Sequence, residues 1–151
     1  MSSKEAKPIN IGIKSVQVIE KQLLAGTQPP EPNETFIFKV DIQQNINPKQ
    51  KLVLATCYVD ITSQPTKSLV GRVVVGCAFT VNEFDEYYDS DSNINNFPEA
   101  FVVNINSIAI STIRGAMVEI FRGTRLNNVL LPLVDPNQLK PSEAIEDKTR
   151  K

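Results

Sequence analysis

One long stretch of this chain carries helical periodicity, and the rest has to be arranged around it. Pro98 and Glu99 open it, since proline suits the first helical turn and an acid there favours the helix dipole. Gly123, just after Arg122, supplies the C-terminal stop. Between them Val102, Ile105, Ala109, Ile113, Ala116 and Ile120 recur at three- and four-residue spacing and define one buried stripe. Ile110, Met117 and Phe121 widen it. A separate line carries Ser107, Ser111 and Gly115, four residues apart, where another backbone could come close. One stripe suffices to dock on a sheet, so the remaining surface calls for a second partner. The chain offers no other long helix, and the expected partner is the same helix of another copy.

Upstream, the period changes from helical to alternating. In residues 9–19, Ile9, Ile11 and Ile13 alternate and then hand over to Val16 and Val18, a change of phase that predicts a bulge near Ser15. Residues 35–42 put Phe36, Phe38, Val40 and Ile42 on one face. In residues 51–62 Val53, Ala55, Cys57, Val59 and Ile61 share a face, and in 69–81 Val73, Val75, Cys77, Phe79 and Val81 do. The gaps between the last three runs are short and rich in proline and polar residues, so an antiparallel meander is the expected topology. Leu52, Leu54, Tyr58, Val70 and Val74 fall on the opposite face, which predicts a second face less polar than solvent alone would require.

The chain has 151 residues, which fits one domain over 1–151, with an ordered core of about 9–139 and a flexible tail over 140–151. Its 16 basic and 17 acidic residues leave a net charge of -1, no basis for an electrostatic nucleic-acid binder. No run approaches the ~18 uninterrupted apolar residues of a membrane span. The opening residues MSSKEAKPIN do not resemble a signal peptide, and the expectation is a cytoplasmic protein without membrane insertion. Histidine is absent, which removes the usual general base at neutral pH and any Ser-His or Cys-His pair. Cys57 and Cys77 could pair as a disulfide, but two buried free thiols suit a reducing compartment better. Residues Asp89, Asp91, Asn93 and Asn95 space oxygen side chains like the start of an EF-hand calcium loop. Ile94 occupies its glycine position, however, and Ala100 the place of its bidentate glutamate. No metal, cofactor or enzymatic activity is expected.

The acidic segment 82–98 is too long for a turn and holds Phe84, Tyr87, Tyr88 and Phe97. With Leu52, Leu54, Tyr58, Val70 and Val74 these aromatics are the candidate surface for apolar polypeptide. The competing reading makes the sheet residues a subunit interface and uses the aromatics to pin the loop. Burying ~400 Å² of a client's apolar area yields roughly 10 kcal/mol at ~25 cal/mol per Å². Ordering its backbone costs about 1–2 kcal/mol per residue, so a short contact nearly cancels and several sites on an oligomer are needed.

Residues 107–136, SIAISTIRGAMVEIFRGTRLNNVLLPLVDP, together with GRVVVGCAF at 71–79, resemble the SecB protein-export chaperone family. The order of four strands, long crossover loop, helix, arginine-glycine-threonine turn and apolar segment covers most of residues 9–139. The resemblance implies an α+β fold, a four-stranded antiparallel sheet with one long C-terminal helix; in this chain Pro136 can open, and Pro141 limits, a short, polar second helix or turn. It implies a homotetramer built as a dimer of dimers, with Ser107, Ser111 and Gly115 as candidate interface residues. It also implies an ATP-independent holdase that keeps unfolded polypeptides in apolar grooves and passes secretory precursors to SecA. Glu20 is the candidate SecA contact, whereas Arg72 stands where the family's fourth strand commonly has glutamate. The polar segment PNQLKPSEAIEDK, broken by Pro141, departs from the family's apolar final helix. Some relatives protect antitoxins, so the rival expectation is a partner-specific SecB-like chaperone or assembly protein without SecA handover.

Overall fold

A computed structural model describes residues 9–24, 30–89, 91–92 and 94–135. Strands β1 (Ile11–Leu23), β2 (Thr35–Asn47), β3 (Leu52–Gln64) and β4 (Leu69–Val81) form an antiparallel sheet in the order β1-β4-β3-β2. The segment after β4 folds into a short helix α1 (Phe84–Tyr87) and a two-rung hairpin of β5 (Tyr88–Asp89) and β6 (Ile94–Asn95). Helix α2 (Glu99–Ile120) follows. The short polar second helix or turn expected after Pro136 and the tail 140–151 lie outside the described residues.

β2, β3 and β4 run as the expected meander, but β1 lies beside β4 rather than β2, so β1 and β2 form opposite edges of the sheet. Each residue of β2 has a partner on β3, from Thr35↔Gln64 to Asn47↔Leu52, with no break in register. β1 is different. Its register against β4 shifts between Ile13 and Ser15, and again between Val18 and Glu20, so Lys14 and Ile19 lie at bulges. The first shift turns Val16 and Val18 onto the same face as Ile11 and Ile13, which accounts for the change of phase in the sequence. A third irregularity sits where Ile61 pairs with Gly71 but Thr62 with Leu69. Val70 is the extra residue there. It therefore turns into the main core, 5% exposed, and not onto the second face that simple alternation assigns it.

α2 lies over β3 and β4. Pro98 occupies its N-cap in an extended conformation, and Gly123 at φ +75° follows its end, a backbone angle that L side chains rarely adopt. Gly123 N–H donates to Asn127 Oδ1 and Thr124 Oγ1 donates to the Phe121 carbonyl, so the turn satisfies its own polar groups. The buried face of the helix consists of Phe101, Ile105, Asn106, Ala109, Ile110, Ile113 and Met117. Val102, Ala116 and Ile120, which the sequence places in the stripe, flank this face half-buried. Across from it stand Val53, Ala55, Cys57, Val59 and Ile61 of β3 and Val73, Val75, Cys77 and Phe79 of β4.

Over an 18-residue window α2 has a mean hydropathy of 1.4, long and apolar enough by length and composition to cross a membrane. The sequence's lack of one uninterrupted apolar run does not therefore set this helix apart. Its packing on the sheet is that of a core helix, yet only 39% of the window is buried within one chain. Apolar surface is left over.

Candidate functional site

The aromatic residues of the crossover segment form one connected cluster. Phe84, 2% exposed, packs on Tyr88 with ring centres 5.4 Å apart and on Phe97 at 6.0 Å. Phe97 stacks on Tyr87 at 5.4 Å and on Phe101 of α2 at 4.7 Å. The segment is thus pinned to the helix, and Asp89 closes the hairpin by accepting from Asp91 N–H and Ser92 Oγ. Those two bonds also hold the Asp89 carboxyl below the usual carboxylate range. Asp89 acts as a turn former, and among the described residues no group of three or more Cys, Asp or Glu stands ready for a metal ion.

Beside this cluster lies an open cleft of about 210 Å³, lined by Gln44, Asn45, Ile46, Val53, Tyr88, Asn95, Phe97, Phe101 and Val102. Its walls come from the end of β2, the β5–β6 hairpin and the first turns of α2. Gln44 Nε2 donates to Asn106 Oδ1 at 2.6 Å, which satisfies a side chain only 1% exposed and joins β2 to the helix. The lining mixes aromatic rings, aliphatic side chains and amides. No lysine, arginine, aspartate or glutamate takes part.

Of the residues singled out in the sequence, Tyr88 and Phe97 line this cleft, with Phe84 and Tyr87 packed behind them. Leu54 and Tyr58 lie half-buried on the opposite face of the sheet, while Leu52 and Val74 there are 5% and 2% exposed. That face is more polar than expected. It holds a second hollow, of about 220 Å³, lined by Lys39, Asp41, Gln43, Tyr58, Asp60 and Arg72. Arg72 stands 3.5 Å from Glu20 and 3.6 Å from Asp60, so the one candidate acidic contact already faces a cation. Ser111 and Gly115 are exposed and Ser107 half-buried, and no atom lies within 4 Å of the place a Gly115 Cβ would take.

The sequence reading missed Gln44, Asn45, Ile46, Val53, Asn95, Phe101 and Val102 as cleft residues. A signal existed for two polar groups. Gln44 continues the inward phase of Phe36, Phe38, Val40 and Ile42, and Asn106 interrupts the apolar stripe of α2. Polar residues at inward positions of two elements point to a contact between them.

A second apolar surface lies on β1. Ile13, Val16, Val18 and Leu23 pair with Phe79, Cys77, Val75 and Gly71, so they share the helix-facing side of the sheet. α2 does not reach them, and they are 55%, 49%, 44% and 40% exposed. Cys57 and Cys77 offer no nucleophile: both are free and buried. Burial, then the neighbouring Cys77 and the charge of Asp41, push the Cys57 thiol up to about 12, and burial raises Cys77 against a hydrogen bond with Thr112.

No family model matches the sequence, and no curated protein does. Among solved structures the chain resembles the Mycobacterium tuberculosis SecB-like chaperone Rv1957, solved in complex with a ChAD peptide from the Rv1956 HigA1 antitoxin. The TM-score is 0.58 at 11% identity over 82% of this chain and 90% of that one. A Streptococcus agalactiae protein of unknown function aligns over 77% of this chain and 90% of its own at 11% identity, but its TM-score of 0.36 carries no argument. A four-stranded antiparallel sheet carrying one long helix, arranged as here, is a SecB-like fold.

Proposed function

We propose that this protein is a chaperone-like polypeptide binder, an ATP-independent holdase that takes extended apolar segments of non-native chains into the cleft between β2, the β5–β6 hairpin and α2. The observation that carries this reading is the uncharged, aromatic- and amide-lined character of the open cleft. Rings and aliphatic groups take apolar side chains of many shapes, and amides can donate to or accept from any peptide backbone. Binding that uses no fixed charge tolerates varied client sequence. The SecB-like neighbour, solved with a peptide bound, supports the same reading.

Affinity from one short contact is small, so this reading includes self-association. The uncovered inner face of β1 and the outward side of α2 are the surfaces we assign to it, with a dimer of dimers as the assembly. We place the activity in the cytoplasm, where the two free thiols stay reduced. Handover to SecA forms no part of the proposal: Arg72 places a cation between Glu20 and Asp60 on the face where an acidic dock would lie.

The test is light scattering from an aggregating unfolded substrate without nucleotide. Suppression at a few-fold molar excess supports the holdase. A second reading, a chaperone dedicated to one partner, is favoured by the antitoxin peptide in the neighbouring structure and by the Arg72 cation among the acids of the sheet face. It predicts tight binding to one peptide and no effect on generic aggregation. Failure of both assays overturns polypeptide binding altogether.

A further inference from the structure

Building on the polypeptide-binding reading, we propose that the cleft selects its clients by a side-chain carboxamide, an asparagine or glutamine within an otherwise apolar segment. Two amides in its walls have their ends told apart by hydrogen bonds to the backbone. Gln44 Nε2 donates to Asn106 Oδ1 at 2.6 Å and to the Val102 carbonyl at 3.5 Å, so its nitrogen end is turned to α2. Its Oε1 is left as an acceptor without a partner among the described residues. Asn95 is fixed the other way round. Its Oδ1 accepts from Phe97 N–H at 3.0 Å, which leaves Nδ2 as a donor without a partner among the described residues. Turning either amide would set oxygen against the Val102 carbonyl or nitrogen against the Phe97 N–H, so each free end is assigned by its backbone partner. Both residues line the same cleft, Gln44 from β2 and Asn95 from the β5–β6 hairpin.

One free acceptor and one free donor, both neutral, are the complement of a primary carboxamide, which carries N–H and C=O on a single planar group. A carboxylate offers acceptors alone and would face Gln44 Oε1 oxygen to oxygen. An ammonium offers donors alone and leaves Asn95 Nδ2 unanswered. It must also shed water beside Phe97, Phe101 and Val102, with no acidic side chain among the lining residues to meet it. An aliphatic side chain of the same length fills the space but leaves both amide ends unpaired as water is expelled. That cost is what separates it from glutamine. The rings and aliphatic groups of the cleft take the apolar flanks of the client. Affinity for apolar sequence and selection of one amide within it therefore come from different atoms of the site.

The experiment uses the full chain and a labelled, end-capped peptide of valine, phenylalanine and serine whose central position is glutamine, methionine or glutamate, titrated by fluorescence anisotropy. Glutamine and methionine are nearly equal in length, so the comparison isolates the carboxamide, and the backbone is common to all three peptides. The glutamine peptide is expected to bind about tenfold more tightly than the methionine peptide, and the glutamate peptide more weakly than either. Asn95→Asp keeps the oxygen that accepts from Phe97 N–H and exchanges the free donor for an acceptor. It is expected to bring the affinities for the glutamine and methionine peptides together. Equal binding of those two peptides by the parent protein, or a preference that survives Asn95→Asp, overturns carboxamide selection and leaves the cleft reading standing. If no peptide binds, carboxamide selection falls, and if an unfolded substrate also aggregates unhindered, the polypeptide-binding reading falls with it.

Discussion

Arg125 Nη2 lies 2.5 Å from Glu34 Oε1, and each side chain is only 11% exposed. Glu34 precedes β2 and also accepts from Ser63 Oγ of β3 at 2.7 Å, while Arg125 follows the turn that ends α2. The pair therefore fastens the C-terminal end of the helix to the start of β2, at the far end of that strand from the cleft. Nearby, Leu126 fills the space over Gly71, where a Cβ would stand 3.1 Å from Leu126 Cδ1.

Removing Arg125 leaves the buried Glu34 carboxylate without this cation, and removing Glu34 takes its near carboxylate from the buried guanidinium. Arg125→Ala and Glu34→Ala are each expected to lower folding stability by about 3 kcal/mol. The paired replacement Arg125→Met with Glu34→Leu recovers most of that loss, because both charges leave together. Urea denaturation of the three variants checks it. Single-variant losses under about 1 kcal/mol, as for surface pairs, would show that water reaches the site.

Phe97 stacks on both Tyr87 and Phe101 and lines the cleft, so its ring serves fold and binding together. Phe97→Ala is expected to weaken binding of an unfolded substrate about tenfold or more. Phe97→Leu keeps apolar area but loses ring pairs worth about 0.5–1.5 kcal/mol each, giving an intermediate affinity. Titration by fluorescence anisotropy measures both. Unchanged affinity in Phe97→Ala would move the binding surface elsewhere.

The inner face of β1 gives a separate expectation about assembly. Val16 is half exposed, so Val16→Asp leaves the protomer folded by circular dichroism. In a two-fold interface the new carboxylate meets its own copy or an apolar neighbour, and association weakens by about a hundredfold, or ~2.7 kcal/mol. Sedimentation velocity reads the change. A parent protein that is monomeric at tens of micromolar would remove the premise.

The sheet and the helix were legible because their periods are long and regular. Ile9, Ile11 and Ile13 handing over to Val16 and Val18 marked the first bulge, and Pro98 with Gly123 marked the helix ends. Two features were not legible. The bulge at Val70 adds one residue inside a run of valines, and since every neighbour is apolar, alternation gives no sign of the shift. The place of β1 beside β4 depends on which edge the chain reaches after residue 24, and local periodicity carries no information about that choice. Of the site, Tyr88 and Phe97 were visible as aromatics in a polar loop. Gln44 carries a sign in its inward phase on β2, but Asn95 looks like any polar loop residue, and only the fold brings the two to the same cleft.

The buried thiols give the last prediction, a loss of stability in alkali. Cys57 keeps its proton in the folded protein up to about pH 12, against an ordinary value of 9.0 once unfolded. Between these values the unfolded chain binds fewer protons than the folded one, so stability falls as pH rises. The contribution is whole below pH 9.0 and is lost progressively toward pH 12, with a limiting slope of about 1.4 kcal/mol per pH unit for this one group. Urea midpoints taken from pH 8 to 11 for the parent and for Cys57→Ala isolate it, because lysine and tyrosine titrations are common to both. The parent is expected to lose stability more steeply above pH 9. Parallel curves would mean that water or a counter-charge reaches the thiol, and native-state alkylation of Cys57 by iodoacetamide at pH 8 would report the same exposure.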